Sequence, residues 1–420
     1  FFNYGTATNI RADAPPERHG KMTRPSLGDS PTTWIDATLA ESPYALKAII
    51  TNNNPMTAWP NQDRVREAFA ALDLLVHVEL FANDTTAYAD YVLPAATGVE
   101  KGEISRASED RRIVWIDRMI EPPGDAKPDG WIWIELGKRF GFDDVLKDEY
   151  KDSAVFWDAE CIKDPGLKGV TQKRLHEAPT RWVRAPLYAE DADEIETMYL
   201  EGSTVHGYPE GHRFPTASGK LEFWTPELDA KFRTLGLSPL PQFYSDPEQL
   251  TDLPYIKVSQ ERVVSPFQSH DASAAVVSIV EPEPDSPGRQ LRERGFDTQL
   301  ITGRPPAPHF HSWTHYAWQA QEMWPDLFVQ LHPDKAAAAG IDDGQEVVIE
   351  TAHGQMSARA WLHAGIREDA VFVPIGWDAS QPFHPWRSVN YLTDKDQRDP
   401  LSAHSNLKTY LCRVRPADPE

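Results

Sequence analysis

The sequence carries two cysteines in 420 residues, Cys161 and Cys412. Two thiols cannot by themselves build an iron–sulfur cluster or a Cys-rich zinc site. Nothing in the sequence pairs them, so the redox compartment stays open between cytoplasm and periplasm. Basic residues are also short: 42 Lys and Arg stand against 64 Asp and Glu, a formal net charge of −22. A surface that acidic repels phosphate backbones and anionic lipid, which argues against general nucleic-acid binding. No apolar run reaches the ~20 residues of a membrane span, so direct membrane insertion is not expected. Phosphate-loop, G-x-G-x-x-G and G-x-S-x-G signatures are absent as well. The first residues, FFNYGTATNI, show neither Met nor a leader pattern, and the chain is expected to continue a longer product.

Proline, by contrast, is abundant at 36 residues, which favours long ordered loops over a helical bundle. Three regions are expected. Residues 1–145 alternate strand and helix patterns: a strand over Ala45–Thr51, a helix in DRVREAFAAL, a buried strand in LDLLVHVELF, a short strand in YVLPA and a closing helix in WIWIELGKRFGF with Gly141 near its end. Strand–helix–strand with short links predicts a parallel α/β sheet. Residues 146–249 read as irregular connecting structure, with a tight turn at Ser218–Gly219 and a strand over Lys220–Trp224. Residues 250–420 change character: after the acidic, Pro-rich VEPEPDSP come short strands in QLITG, EVVIETAHGQMSARAWL and AVFVPIGW. Turns are expected at Asp343–Gly344 and His353–Gly354, and HPDKAAAAG reads as a helix closed by Gly340 with Ala337 packed inward. Many short strands with one small helix predict a β-barrel.

Four segments have the residues for chemistry. TNNNPMTAWPN follows a strand, where ligands of open α/β sheets sit, and Asn can hydrogen-bond a base or phosphate. An Asn-rich turn is the plainer reading. In VHVELFANDTTAYADYVLP, Asp90 could accept from two guanine N–H groups at once, or simply cap a loop; His77 and Glu79 share a strand face but lack the companions of a catalytic set. In ITGRPPAPHFHSWTH, Arg304 offers a planar donor fork, while His309, His311 and His315 invite a three-His zinc site, and with it a zinc hydrolase. In the C-terminal segment, Asn390 can read a heterocycle edge and Lys408 supplies a point charge.

In this order the segments resemble the molybdopterin oxidoreductase family, the dimethyl sulfoxide reductase superfamily. The resemblance rests on NNNPMTAWPN, ELFANDTTAYADYVLPAATGVEK, EPPGDAKPDGW, PTASGKLEF, TGRPPAPHFHSWT, AAAAGIDDGQEVVIE and NYLTDKDQRDPLSAHSNLK. It implies an α/β plus β chain: half of a dinucleotide-binding parallel-sheet domain over 1–145, then a double-psi β-barrel over 250–420 that covers the pterins. The cofactor implied is bis(molybdopterin guanine dinucleotide) with Mo or W, contacted by Asn54, Thr57, Glu79, Asp90, Thr302, Gly303, Arg304, His309, His311, Asn390 and Lys408. Where many members have Gln-Asp at the second strand end, this chain has Val78–Glu79. The family's Cys motif for an iron–sulfur cluster and the segment with the metal ligand are not in this sequence. The partners implied are therefore an N-terminal remainder of the catalytic subunit and an iron–sulfur electron-transfer subunit. The phrasing points toward reductases of sulfur or arsenic oxyanions. Formate dehydrogenase, a non-redox hydratase and a cofactor-free electron-transfer or structural subunit are the alternatives.

Overall fold

A computed structural model describes residues 32–41, 45–107, 110–194, 214, 216–234, 236–258, 277–305, 307, 309, 312–381, 386–397 and 404–418. The chain forms two compact units. Among the described residues, one combines 32–93 with those of Trp224–Glu420, and the other is formed by those of Pro94–Phe223. The linear borders at 145 and 249 do not follow these units, because the flanks of Pro94–Phe223 fold together.

The larger unit begins with a three-stranded sheet in the order β1 (Ala48–Asn52), β2 (Leu74–Glu79), β3 (Tyr91–Pro94). β1 and β2 are parallel, with Ala48 opposite Leu74 and Asn52 opposite Val78. A parallel pair needs a crossover, here the helix Gln62–Ala71. Its Val65, Ala68 and Phe69 pack on Leu75, Trp34, Ile35 and Met56, as the apolar spacing of DRVREAFAAL requires. Asn61 starts the helix from the left-handed region (φ 56°), and its side chain accepts from Arg64 N.

The smaller unit holds the antiparallel sheet β4 (Glu103–Ala107), β5 (Arg112–Ile116), β6 (Trp182–Arg184). Its core gathers Ile113, Leu167, Val170, Leu175, Val183 and Leu187. The helix expected in WIWIELGKRFGF runs over Asp129–Gly137 and continues as a π turn, Lys138–Phe142, broken by Gly141 at φ 85°. The region expected to be irregular contains packed helices at Ser153–Glu160 and Gln172–Glu177. The strand expected over Lys220–Trp224 does not form. Leu221 and Phe223 are exposed there, and among the described residues no neighbouring strand completes a ladder.

In the larger unit β7 (Tyr255–Val258) and β8 (Val277–Val280) form an antiparallel pair. Six further strands close a barrel: β9 (Thr298–Gly303), β10 (Phe328–Leu331), β11 (Glu346–Thr351), β12 (Gln355–Leu362), β13 (Ala370–Pro374) and β14 (Thr409–Pro416), in the order β10-β12-β11-β14-β9-β13. β10 and β12 are parallel, as are β13 and β9; the other neighbours are antiparallel. Alternation sets the lining: Val347 and Ile349 on β11, Met356, Ala358 and Ala360 on β12, and Val371 and Val373 on β13 are buried in one core. The expected turns at Asp343–Gly344 and His353–Gly354 connect these strands, and Gly344 takes φ 76°. The helix Pro333–Ala339 ends at Gly340 (φ 67°), but Ala336, not Ala337, packs inward; Ala337 is exposed. Both cysteines are buried and free. Among the described residues no helix is long and apolar enough to cross a membrane.

Candidate functional site

The carboxyl edge of the parallel sheet and the barrel meet within the larger unit. β1 runs into Asn53, which takes a left-handed conformation (φ 58°) that Asn tolerates. Asn54 then caps the short helix Pro55–Ala58, with Pro at its first position. The Asn54 amide is clamped at both ends: Nδ2 donates to Asp378 Oδ2 at 2.6 Å, and Oδ1 accepts from Thr85 Oγ1 at 2.9 Å. Thr57 Oγ1 donates to Asn54 O at 3.0 Å. The Thr57 carbonyl accepts from Ser388 Oγ at 3.1 Å and from Asn390 Nδ2 at 2.6 Å, and Asn390 Oδ1 accepts from Thr393 Oγ1 at 3.2 Å. Asn54, Thr57 and Asn390 are all buried, so they shape the turn more than they offer groups to a ligand. The exposed side chains at this edge are Asn52 and Asn53.

The end of β2 folds onto its own loop. Glu79 Oε1 accepts from Leu80 N at 2.7 Å and Oε2 from Asn83 Nδ2 at 3.2 Å. Asn83 in turn caps the turn Asp84–Tyr88 through Thr85 N and Thr86 N. His77 is bonded to Thr51 Oγ1 across the sheet through Nδ1 at 2.9 Å, not to Glu79, and burial lowers its pKa. Asp90 is not brought to this edge. Its Oδ2 accepts from Leu75 N at 2.7 Å and its N–H donates to Leu75 O at 2.8 Å. Leu75 is near the amino end of β2, four residues or ~13 Å along the strand from Glu79.

A second group forms where β9 ends. Thr302 Oγ1 donates to the Leu407 carbonyl, and Lys408 Nζ is 3.5 Å from Thr302 O. Gly303 O accepts from Ile375 N at 2.8 Å, and a Cβ on Gly303 would stand 3.1 Å from the Phe372 ring. Arg304, next in sequence, is exposed. The TGR phrase and Lys408 therefore share one rim of the barrel.

His309 is 4 % exposed and stacks on His315, with ring centroids 3.9 Å apart and planes 18° off parallel. His309 Nε2 is 3.3 Å from Trp324 O, while its Nδ1 is buried without a hydrogen-bond partner among the described residues. His315 meets Trp377 edge-on at 4.2 Å. Gly376, at φ 110°, makes room, since a Cβ there would collide with His315 Nε2. Imidazole lone pairs lie in the ring plane, so two stacked rings aim at different points and do not chelate one zinc. His311 lies outside the described residues.

Sequence reasoning missed the centre of the first group. Asp378 is fully buried and accepts four hydrogen bonds: from Asn54, from Tyr316 Oη at 2.9 Å, and from Ser380 N and Oγ at 3.0 and 2.8 Å. Asp84 accepts from Ala379 N at 3.0 Å. Burial first, then the nearby Asp378 charge, pushes the Asp84 carboxyl up to about 6. The Gly-Trp-Asp triplet directly after an apolar strand was the available signal.

A cavity of about 1060 Å³ opens beside Lys408. Asp246, Glu281, Glu283, Asp285 and Asp396 line it against Lys257 and Lys408, so its described wall is acidic and suits a diphosphate poorly. Separately, His332, Asp334 and Glu368 bring ligand-type atoms within 4.8 Å of one another on the barrel surface. His332 Nδ1 there accepts from Asp334 N and caps the helix Pro333–Ala339.

A turn at the carboxyl edge of a parallel sheet, stitched to a six-stranded barrel whose rim carries Arg304 and Lys408, lies where open α/β folds take their ligands. The molybdopterin oxidoreductase family profile matches residues 22–139, and the molydopterin dinucleotide binding domain profile matches residues 298–411. The chain belongs to the molybdopterin oxidoreductase family. It is 26 % identical over 418 residues to a dopamine dehydroxylase from Eggerthella lenta, covering 93 % of this chain and 40 % of that protein. It is 23 % identical over 354 residues to a thiosulfate reductase molybdopterin-containing subunit from Salmonella typhimurium, covering 82 % of this chain and 40 % of the relative. In fold it resembles acetylene hydratase from Pelobacter acetylenicus, with a TM-score of 0.68 at 20 % identity over 92 % of this chain and 46 % of that one. The chain thus spans less than half the length of these relatives.

Proposed function

We propose that this chain is the cofactor-gripping C-terminal part of a catalytic subunit that uses bis(molybdopterin guanine dinucleotide) with Mo or W. The observation that carries the reading is the Asn54–Asp378 and Thr57–Asn390 bonding, which ties the sheet-edge turn of the first matched segment to the second matched segment within one unit. The donor set suits the group. Arg304 offers a cation for a diphosphate at the barrel rim, Lys408 adds a second charge at the border between that rim and the acidic cavity, and Asn52 and Asn53 offer amides at the sheet edge. The buried Nδ1 of His309 is a further polar atom without a partner among the described residues. When bound, the cofactor supplies the redox chemistry; the protein supplies position, hydrogen bonds and exclusion of water. The barrel's mixed parallel and antiparallel order supports the double-psi topology expected of its family.

The substrate we propose is a sulfur or arsenic oxyanion, reduced with electrons delivered by an iron–sulfur subunit. The thiosulfate reductase subunit among the relatives supports this choice. Elemental analysis of the purified protein tests the reading. About one Mo or W per chain, with pterin fluorescence after acid oxidation, is expected. Stoichiometric zinc without either metal or pterin would overturn it.

A further inference from the structure

Two carboxyl groups brace the same short turn. Asp378 begins the turn 378–380, and Asp84 captures the Ala379 amide within it at 3.0 Å. Burial raises the Asp378 carboxyl, but four donors fill both of its oxygens and favour its charged form, whereas Asp84 accepts one backbone N–H, so Asp84 is the partner that takes the proton. Asp84 is partly exposed and can exchange a proton with water. The titratable groups facing Asp84 are Asp378 from the loop after β13 and Tyr316 from the turn Ser312–Tyr316. Among the described residues no Lys, Arg or His forms an ion pair with either carboxylate.

The mechanical consequence lies in Asn54. Its Nδ2 is held by Asp378, and its Oδ1 is held by Thr85, the residue after Asp84. Thr85 Oγ1 also accepts from Met56 N at 3.2 Å. The two jaws of the clamp therefore stand on the two turns that carry the two carboxyl groups. We infer that Asp84 and Asp378 form a proton-controlled clasp that positions the Asn52–Thr57 turn: one proton on Asp84 closes the jaws, and its loss lets two like charges push them apart. Electrostatics gives the sign. Asp84, with its carboxyl raised to about 6, is neutral below that pH, and repulsion across the turn grows as pH rises through it. This inference does not depend on which metal or substrate the protein uses.

Hydrogen–deuterium exchange of the full chain between pH 5 and 8, corrected for intrinsic chemical exchange, tests it. Protection of peptides covering 53–58 and 376–381 should fall as pH rises through about 6, by roughly tenfold for each pKa unit that ties Asp84 to the closed clasp. Asp84→Asn keeps an acceptor for Ala379 N and removes the charge. It should hold the low-pH protection at every pH, while peptides from the β11–β12 hairpin behave alike in both proteins. Asp84→Ser, which lacks the reach to Ala379, should show weaker protection without the pH step. A wild type with no step, or a step that survives in both variants, would overturn the clasp.

Discussion

Replacing Asn54 with Ala probes the junction between sheet and barrel at its narrowest point. The side chain is 2 % exposed, and both ends of its amide are bonded. The substitution removes one charge-assisted hydrogen bond, to Asp378, of about 1.5–3 kcal/mol, and one neutral bond, from Thr85, of about 1 kcal/mol. Asp378 keeps Tyr316 and both Ser380 donors, so its charge is not abandoned and the loss should not grow far beyond the sum. A loss of about 3 kcal/mol is expected. Asn54→Asp should be worse, because a second carboxylate would stand where a donor stands 2.6 Å from Asp378, and it should recover partly on acidification. The chain has two compact units, so one global unfolding curve would mix two events. Exchange-derived opening free energies for amides in β1 and β2 are the appropriate assay. An Ala variant within about 0.5 kcal/mol of wild type would refute the claim that this amide ties the junction.

Ala336→Asp should destabilise the barrel strongly, because the site is fully buried and offers the carboxylate no partner, whereas Ala337→Asp should be near neutral; equal thermal midpoints for the pair would show the helix phase to be wrong. Gly376→Ala should cost more than a typical loop substitution, since its φ of 110° and the packed His315 both reject a Cβ; unchanged unfolding would refute the packing. His353 is held 2.7 Å from Glu248; burial lowers its pKa, but the Glu248 hydrogen bond and charge outweigh this and raise it above the usual 6.5. Its stabilisation is present below pH 6.5 and lost as pH rises through the higher folded value. Glu248→Gln should flatten that part of the pH profile of exchange-derived opening free energies for barrel amides between pH 6 and 8, and an unaltered profile would contradict the pairing.

Much of the architecture was legible because it is local. The alternation along Glu346–Thr351, the turn glycines and the apolar stripe of Gln62–Ala71 each declare their element within a few residues. What failed was long-range or a matter of phase. Asn54 and Asp378 are 324 positions apart, and no residue type announces such a partner. Asp90 reads as a carboxylate beside a strand, but sequence does not say that the strand end it serves is the amino end, at Leu75. Ala336 and Ala337 differ by one step in a run of four alanines, where composition carries no phase. The apolar residues of Lys220–Trp224 suggested a strand, yet a strand requires a neighbour that only the fold can supply. The His-x-His spacing leaves zinc and pterin contact both open and does not announce the ring stack between His309 and His315; His311 lies outside the described residues.

Guanine nucleotide released from the purified protein by mild acid, counted per chain beside Mo or W, measures the central claim most directly. Two guanine nucleotides for each metal would match a cofactor with two pterin dinucleotides gripped by the turn at Asn54 and the rim at Arg304 and Lys408. Protein that is folded and full-length and yields no guanine nucleotide would contradict the account.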